Sequence, residues 1–164
     1  MQLETRRTII STLSENDFSA ILEMYQEPDS NTFIPPLLNK TTEYYQNFLL
    51  GKVEANKTTL GFWTVRELFS NTLIGTVNLN EFKNTGMNHI GSHLSRKFWN
   101  KGYSTELLAV IIDYGFNTRS LEYIYGIMSP NHVVSEKLIL KLGFEFFKEY
   151  NNDGEIIHLY RMHR

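Results

Sequence analysis

The chain contains no cysteine. A disulfide framework and thiolate catalysis are therefore both excluded, and a reducing compartment is the natural setting. Long apolar runs are also missing: nothing approaches the ~18 residues of a membrane span, and the opening "MQLETRRTIISTL" lacks the apolar core of a signal peptide. These absences give the expectation of a cytoplasmic protein without membrane association. Charge of one sign is scarce too. The formal net charge is −2, and basic residues form no patch with interleaved aromatics, so nucleic acid is not an expected partner. No G-x-x-x-x-G-K-[ST] or G-x-G-x-x-G occurs, which removes support for nucleotide hydrolysis and hydride transfer. His89 and His93 are the histidines at helical ligand spacing, but they lie in the alternating stretch "NHIGSHLS", so no metal site is expected.

What remains is a chain of 164 residues, 41% hydrophobic and 13% aromatic, enough for one domain, 1–164, with a substantial core. "RTIISTL" reads as a first strand. Ser14 and Asp17 then form an S-x-x-D capping pattern ahead of a helix expected over about Glu15 to Gln26. Pro28, Pro35 and Pro36 break that helix, and "TTEYYQNFLLGKVEAN" resumes a helical pattern. "LGFWTVRE", "TLIGTVNLNEF" and "NHIGSHLS" alternate as strands joined by turns, an antiparallel meander. Next come a helix after "FWNKG", the strand "LEYIYGIMS", the helix "NHVVSEKLILKLG" with Asn131 as N-cap and Gly143 as stop, and a hairpin of "FEFFKEY" and "EIIHLYRM" about "NNDG". The order β-α-α-β-β-β-α-β-α-β-β predicts an α/β fold with a mixed, mostly antiparallel central sheet flanked by helices.

The stretch "FWNKGYSTELLAVIIDYGF" sets a polar, glycine-bearing turn against an apolar helix. A helix starting near Gly102 or Tyr103 presents unpaired N–H groups and the positive end of its dipole, which favour an anion such as phosphate. Gly102 admits close backbone approach, Ser104 and Thr105 add hydroxyls, and Lys101 adds a screened charge. Taken alone, the same residues also suit a loop whose glycine eases a turn from strand to helix. Asn131 and Ser135, four apart, share one face if their helix runs from its cap, where they could address one ligand or merely cap and back-bond.

"FWNKGYSTELL", followed by "NHVVSEKLILKLGFEF", resembles the acetyl-CoA signature of the GNAT N-acetyltransferases, in the branch of the RimJ/RimL ribosomal-protein acetyltransferases. The resemblance implies acetyl-CoA as cosubstrate, with Asn100, Lys101, Gly102, Tyr103, Ser104 and Thr105 around its pyrophosphate. Trp99 stands where many members carry Gln or Arg. It further implies that Ser92, His93 and Leu94 run beside the pantetheine arm like an adjoining strand, that Asn131 contacts pantetheine, and that Ser135 lies near the thioester sulfur as hydrogen-bond donor to the leaving thiolate. Related sequences often carry an acidic residue where this one has His89, which makes His89 the candidate base; Glu81 is the other candidate, and Tyr160 in the terminal strand is expected to line the site. The acceptor is a primary amine: a protein N-terminus, a polyamine, an amino sugar or an antibiotic amine. Residues 1–82 hold six basic and ten acidic residues against ten and eight in 83–164, a balance that favours a cationic acceptor. A monomer and a homodimer are both compatible with the sequence. The alternative function is a sensor or assembly module that holds acyl-CoA without turnover.

Overall fold

A computed structural model of the chain describes residues 2–58 and 61–164. In chain order the elements are β1 (Gln2–Glu4), β2 (Thr8–Thr12), α1 (Phe18–Tyr25), α2 (Thr42–Ala55), β3 (Gly61–Glu67), β4 (Leu73–Glu81), β5 (Asn88–Leu94), α3 (Tyr103–Asp113), β6 (Tyr123–Met128), α4 (Val133–Lys141), β7 (Glu145–Asn152) and β8 (Glu155–His163). All eight strands join one open sheet in the order β1-β2-β3-β4-β5-β6-β8-β7. Every pairing is antiparallel except that of β5 with β6. The expected mixed sheet is thus present, with one strand more than the sequence suggested: β1 folds back on β2 through Gln2↔Ser11 and Glu4↔Ile9. Leu60, at the head of the stretch read as the third strand's start, lies outside the described residues.

Alternation along the strands divides the core into two layers. Ile10, Trp63, Val65, Ile90 and Ile124 face α3 and α4, where Leu107, Ile111 and Ile139 meet them. Phe62 and Leu13 face α1 and α2 and are covered by Ile21, Met24 and Leu49. Leu107, Ile111, Ile21 and Leu49 are fully buried, and each such side chain contributes roughly 1.5–3 kcal/mol of hydrophobic stabilisation. Among the described residues no helix is long and apolar enough to cross a membrane.

Local chemistry explains the element ends. The expected helix from Glu15 begins as a 3₁₀ turn, Glu15–Asp17, before α1. There Asp17 accepts from the Ser14 N–H at 2.9 Å and from Arg66 Nη2 at 2.6 Å, so the capping carboxylate also ties the helix to β3. At the far end of α4, Gly143 (φ 95) lets the Phe144 N–H reach the Ile139 carbonyl and its own N–H reach Leu140, which is the Schellman stop. The β7–β8 hairpin turns on Asp153 (φ 54) and Gly154 (φ 94), both left-handed, as a two-residue turn requires.

The sheet is least continuous at its centre. β5 stays paired with β4 as far as Leu94, yet it meets β6 only at His89↔Tyr125 and Ile90↔Gly126. Past Ile90 the two strands diverge. The backbone edge of β5 over Gly91 to Leu94 is left unpaired by β6, at the end of the strand that leads into α3.

Candidate active site

Two left-handed residues shape the turn between β5 and α3. Asn100 (φ 57) and Gly102 (φ 80) reverse the chain, with Gly102 as the N-cap of α3. Asparagine tolerates this region and glycine enters it without strain, which accounts for the residue types at both positions. Trp99 Nε1 donates to the Leu94 carbonyl at 2.7 Å, and Phe98 packs edge-on against Tyr103 at 5.6 Å, so the turn is anchored to β5 and to its own helix. A Cβ built on Gly102 would meet only Arg7 Nη2, at 3.7 Å. Its outward side is open for a ligand to approach the backbone.

Charge at this helix start is balanced by a contact that the sequence did not reveal. Glu106 lies in the first turn of α3, where its negative charge would compete with a bound anion. Arg7, just ahead of β2, engages it through Nε at 2.9 Å and through its backbone N–H at 3.0 Å, and stacks its guanidinium 3.9 Å over the Tyr103 ring. Burial opposes ionisation of Glu106, but the bonds from Thr5 and Arg7 together with the Arg7 charge outweigh it and lower the pKa. Lys101 Nζ donates to the Lys97 carbonyl at 2.6 Å, while the Ser104 and Thr105 hydroxyls have no hydrogen-bond partner among the described residues. Open backbone, free hydroxyls and a neutralised acid fit the pyrophosphate of coenzyme A.

The residues expected on β5 divide between the faces of the strand. Leu94 is buried in the α3 layer, and its carbonyl is taken by Trp99. His93 points the other way, stacked on Tyr25 at 5.2 Å with Nε2 2.7 Å from Ser30 Oγ, so only its backbone is turned toward the divergence. Burial pushes the His93 imidazole down to about 4, which keeps it neutral. Ser92 shares the face of Ile90 and Leu94.

α4 differs from its expected start. Its N-cap is His132, and Asn131 lies outside the helix on an exposed turn. The cause is Pro130: the His132 N–H bonds to the Ser129 carbonyl at 3.0 Å, closing a β-turn with Pro130 and Asn131 at its centre, and the helix can begin only afterwards. Asn131 and Ser135 therefore do not share one helical face. His132 does reach Ser135, with Nε2 3.1 Å from Oγ, and the Phe33 ring from the α1–α2 connection stacks on His132 at 4.1 Å. Burial lowers the His132 pKa, so the imidazole is neutral at physiological pH.

The two proton-acceptor candidates and Tyr160 have different surroundings. Glu81 accepts the Gly86 N–H at 2.7 Å and holds the exposed β4–β5 turn. Tyr160, fully buried in the core, donates to Glu136 Oε1 at 2.5 Å, and burial together with that carboxylate raises its pKa to about 12. His89 remains, beside the last β5–β6 pairing. Its Nδ1 is 2.9 Å from the Asn80 carbonyl; a carbonyl can only accept, so Nδ1 carries the hydrogen and Nε2 is left as the acceptor. Burial, aided by the nearby Lys52 charge and opposed by the Asn80 bond, lowers its pKa to about 4. Among the described residues no group of three or more His, Asp or Glu could hold a metal ion.

Residues 7–145 match the family model described as the acetyltransferase (GNAT) domain. The chain belongs to the GNAT acetyltransferases. As a member of that family it is an acetyl-CoA-dependent acyltransferase. It is similar to the uncharacterised N-acetyltransferase p20 of Bacillus licheniformis, 26% identical, with 96% of this chain and 92% of that one covered. In fold it is similar to a GNAT-family acetyltransferase from Bacillus anthracis, with a TM-score of 0.85 and 22% identity over 99% of this chain and 98% of that one. RimL, the ribosomal L7/L12 α-N-protein acetyltransferase solved in complex with coenzyme A, superposes with a TM-score of 0.85 at 10% identity, covering 99% of this chain and 98% of that one. The left-handed turn before α3 lies where the sequence indicates, whereas the contacts of His132, Arg7 and Lys52 are not indicated by it. The His132–Ser135 contact carried a signal, since residues three apart on a helix are neighbours. Arg7 and Lys52 carried none, because their partners are distant in the chain.

Proposed function

We propose that residues 1–164 act as one domain that transfers an acetyl group from acetyl-CoA to a primary amine by direct attack on the thioester. The observation that carries this reading is the left-handed turn at Asn100 and Gly102 beside the divergence of β5 from β6. The amides of residues 100–105 would hold the pyrophosphate, and the β5 edge at Ser92, His93 and Leu94 would align the pantetheine arm. Asn131, exposed on its turn with no side-chain partner among the described residues, would contact the arm. Bound there, acetyl-CoA supplies an activated acyl carbon and a thiolate leaving group.

The chain's own groups then have distinct tasks. His89 Nε2 accepts a hydrogen bond from the uncharged amine and orients its lone pair; its lowered pKa suits it to positioning and to passing the proton on, not to storing it. As the carbon–nitrogen bond forms and the carbon–sulfur bond breaks, the nitrogen gives up one proton and the sulfur gains one through solvent. Ser135 stabilises the developing thiolate: when His132 Nε2–H donates to Oγ, the hydroxyl hydrogen is free to point at sulfur. Serine is too weak an acid to be the proton's final source.

Release of free thiol from acetyl-CoA across N-terminal peptides, polyamines, amino sugars and aminoglycosides tests this function. A chain without cysteine contributes no thiol background. Release with one class of amine is the expected result; coenzyme binding without release for any amine would favour the sensor function.

A further inference from the structure

On the face of the sheet covered by α1 and α2, a polar cluster adjoins the last β5–β6 pairing. Gly91 packs closely against it: a Cβ there would stand 2.8 Å from Asn78 Oδ1. Asn78 Nδ2 donates to the His89 carbonyl at 3.3 Å, and Phe62 is the cross-strand partner of Asn78. Lys52, from the last turn of α2, reaches over this group: its Nζ is 5.0 Å from the centroid of Phe48 and 5.7 Å from that of Phe62. Lys52 is half-buried, and burial lowers its pKa. Its charge in turn lowers that of His89.

Among the described residues no carboxylate forms an ion pair with Lys52. Four of the ten acids of residues 1–82 are committed elsewhere: Asp17 to Arg66, Glu54 to Lys57, Glu27 to the Ser95 hydroxyl and the Arg96 N–H, and Glu81 to the Gly86 N–H. The two rings hold the ammonium group by cation–π attraction and leave its hydrogen-bonding capacity unused. The local charge beside His89 is thus positive, opposite to the sign that the composition of this half suggests.

We propose that Lys52 selects the acceptor by its anionic group: the favoured substrate is a primary amine carrying a carboxylate within a few bonds of the nitrogen, as in a free amino acid or an acidic peptide N-terminus. This rests on the thioester lying at the β5–β6 divergence, which puts His89 beside the attacking nitrogen. A carboxylate approaching this cluster meets a half-buried cation with no ion-pair partner among the described residues, where Coulomb attraction is stronger than in bulk water. A polyamine would set a second positive charge beside Lys52 and be repelled. The expectation of a cationic acceptor is replaced by its opposite.

Binding of three coenzyme A conjugates, joined at sulfur through an acetyl linker to the amine of the Ser-Asp-Glu peptide amide, of the Ser-Lys-Arg peptide amide, or of free serine, tests the proposal without requiring turnover. Calorimetry should show the acidic peptide or the serine conjugate binding the wild-type protein about tenfold more tightly than the basic one. Lys52→Gln should abolish the difference and Lys52→Glu should invert it. Whether the serine or the Asp-Glu conjugate ranks first distinguishes an amino acid from a peptide acceptor. Equal affinities in the wild type, or a preference retained in Lys52→Gln, would overturn the proposal while leaving the acetyltransferase reading intact. Failure of coenzyme A itself to bind would refute that underlying reading.

Discussion

The turn proposed to hold the coenzyme and the polar cluster proposed to meet the acceptor both adjoin one strand, β5, and they are built from different materials. The turn is made of backbone within a single stretch, 98–105, shaped by Asn100 and Gly102 in left-handed conformations. The cluster is made of side chains from α2, β4 and β5: Lys52, Asn78 and His89. A site made of consecutive amides imposes its residue types on consecutive positions and so leaves a motif. One assembled by packing leaves its signal scattered. In the proposed function the difference also separates tasks: the turn would address the part common to every reaction of the family, whereas the cluster would vary with the acceptor.

The comparison can be broken at four points. The largest effect is expected at the turn, where Gly102→Val imposes a left-handed conformation on a β-branched residue and places methyl groups at the phosphate approach. Coenzyme A affinity measured by calorimetry should fall about a hundredfold, while strain in the free protein costs only ~1–2 kcal/mol. A melting temperature lowered without loss of affinity would show that the turn does not hold the coenzyme. Ser135→Ala should lower kcat about tenfold or somewhat more with KM for acetyl-CoA little changed, the cost of one hydrogen bond to a charged group. His132→Ala should reproduce part of that loss if the imidazole orients the hydroxyl.

Acid stability probes the α1–α2 side. His89 and His93 have folded pKa values of about 4, below the ordinary histidine value of about 6.5. As pH falls below 6.5 the unfolded chain takes up these protons before the folded one, so stability declines from about pH 6.5 to 4, by on the order of 3 kcal/mol per histidine. Denaturant melts in that range should show His93→Gln with a flatter profile than wild type; an unchanged slope would mean that His93 is not held neutral. The smallest effect belongs to Gly91→Ala, which must displace Asn78 Oδ1 from 2.8 Å. It should raise KM for the amine a few-fold while coenzyme affinity stays the same, confining the change to one face of β5.

The sequence disclosed these regions unequally, for the same reason. Gly102 and the apolar spacing of Leu107, Leu108 and Ile111 are local, and the helix begins where they indicate. Gly143 as the stop of α4 and the turn at Asp153 and Gly154 were equally legible, because positive φ restricts residue choice. The start of α4 was misplaced because Asn131 is a good N-cap by type, while the proline before it enforced a β-turn that delays the helix to Val133. β1 was missed because three residues carry too little alternation to register as a strand. Lys52 beside His89 was beyond reach, since strands and a helix must pack before a cation on α2 can face a residue on β5.

The most direct test of the central claim is a titration of the protein with coenzyme A followed by backbone amide NMR. The largest shifts are expected at residues 92–94 and 100–105, the β5 edge and the turn, with the Lys52 amide nearly unmoved until an amine-bearing conjugate is added. Shifts concentrated elsewhere, or none at coenzyme concentrations that saturate other family members, would contradict the assignment of this turn and this divergence as the coenzyme site.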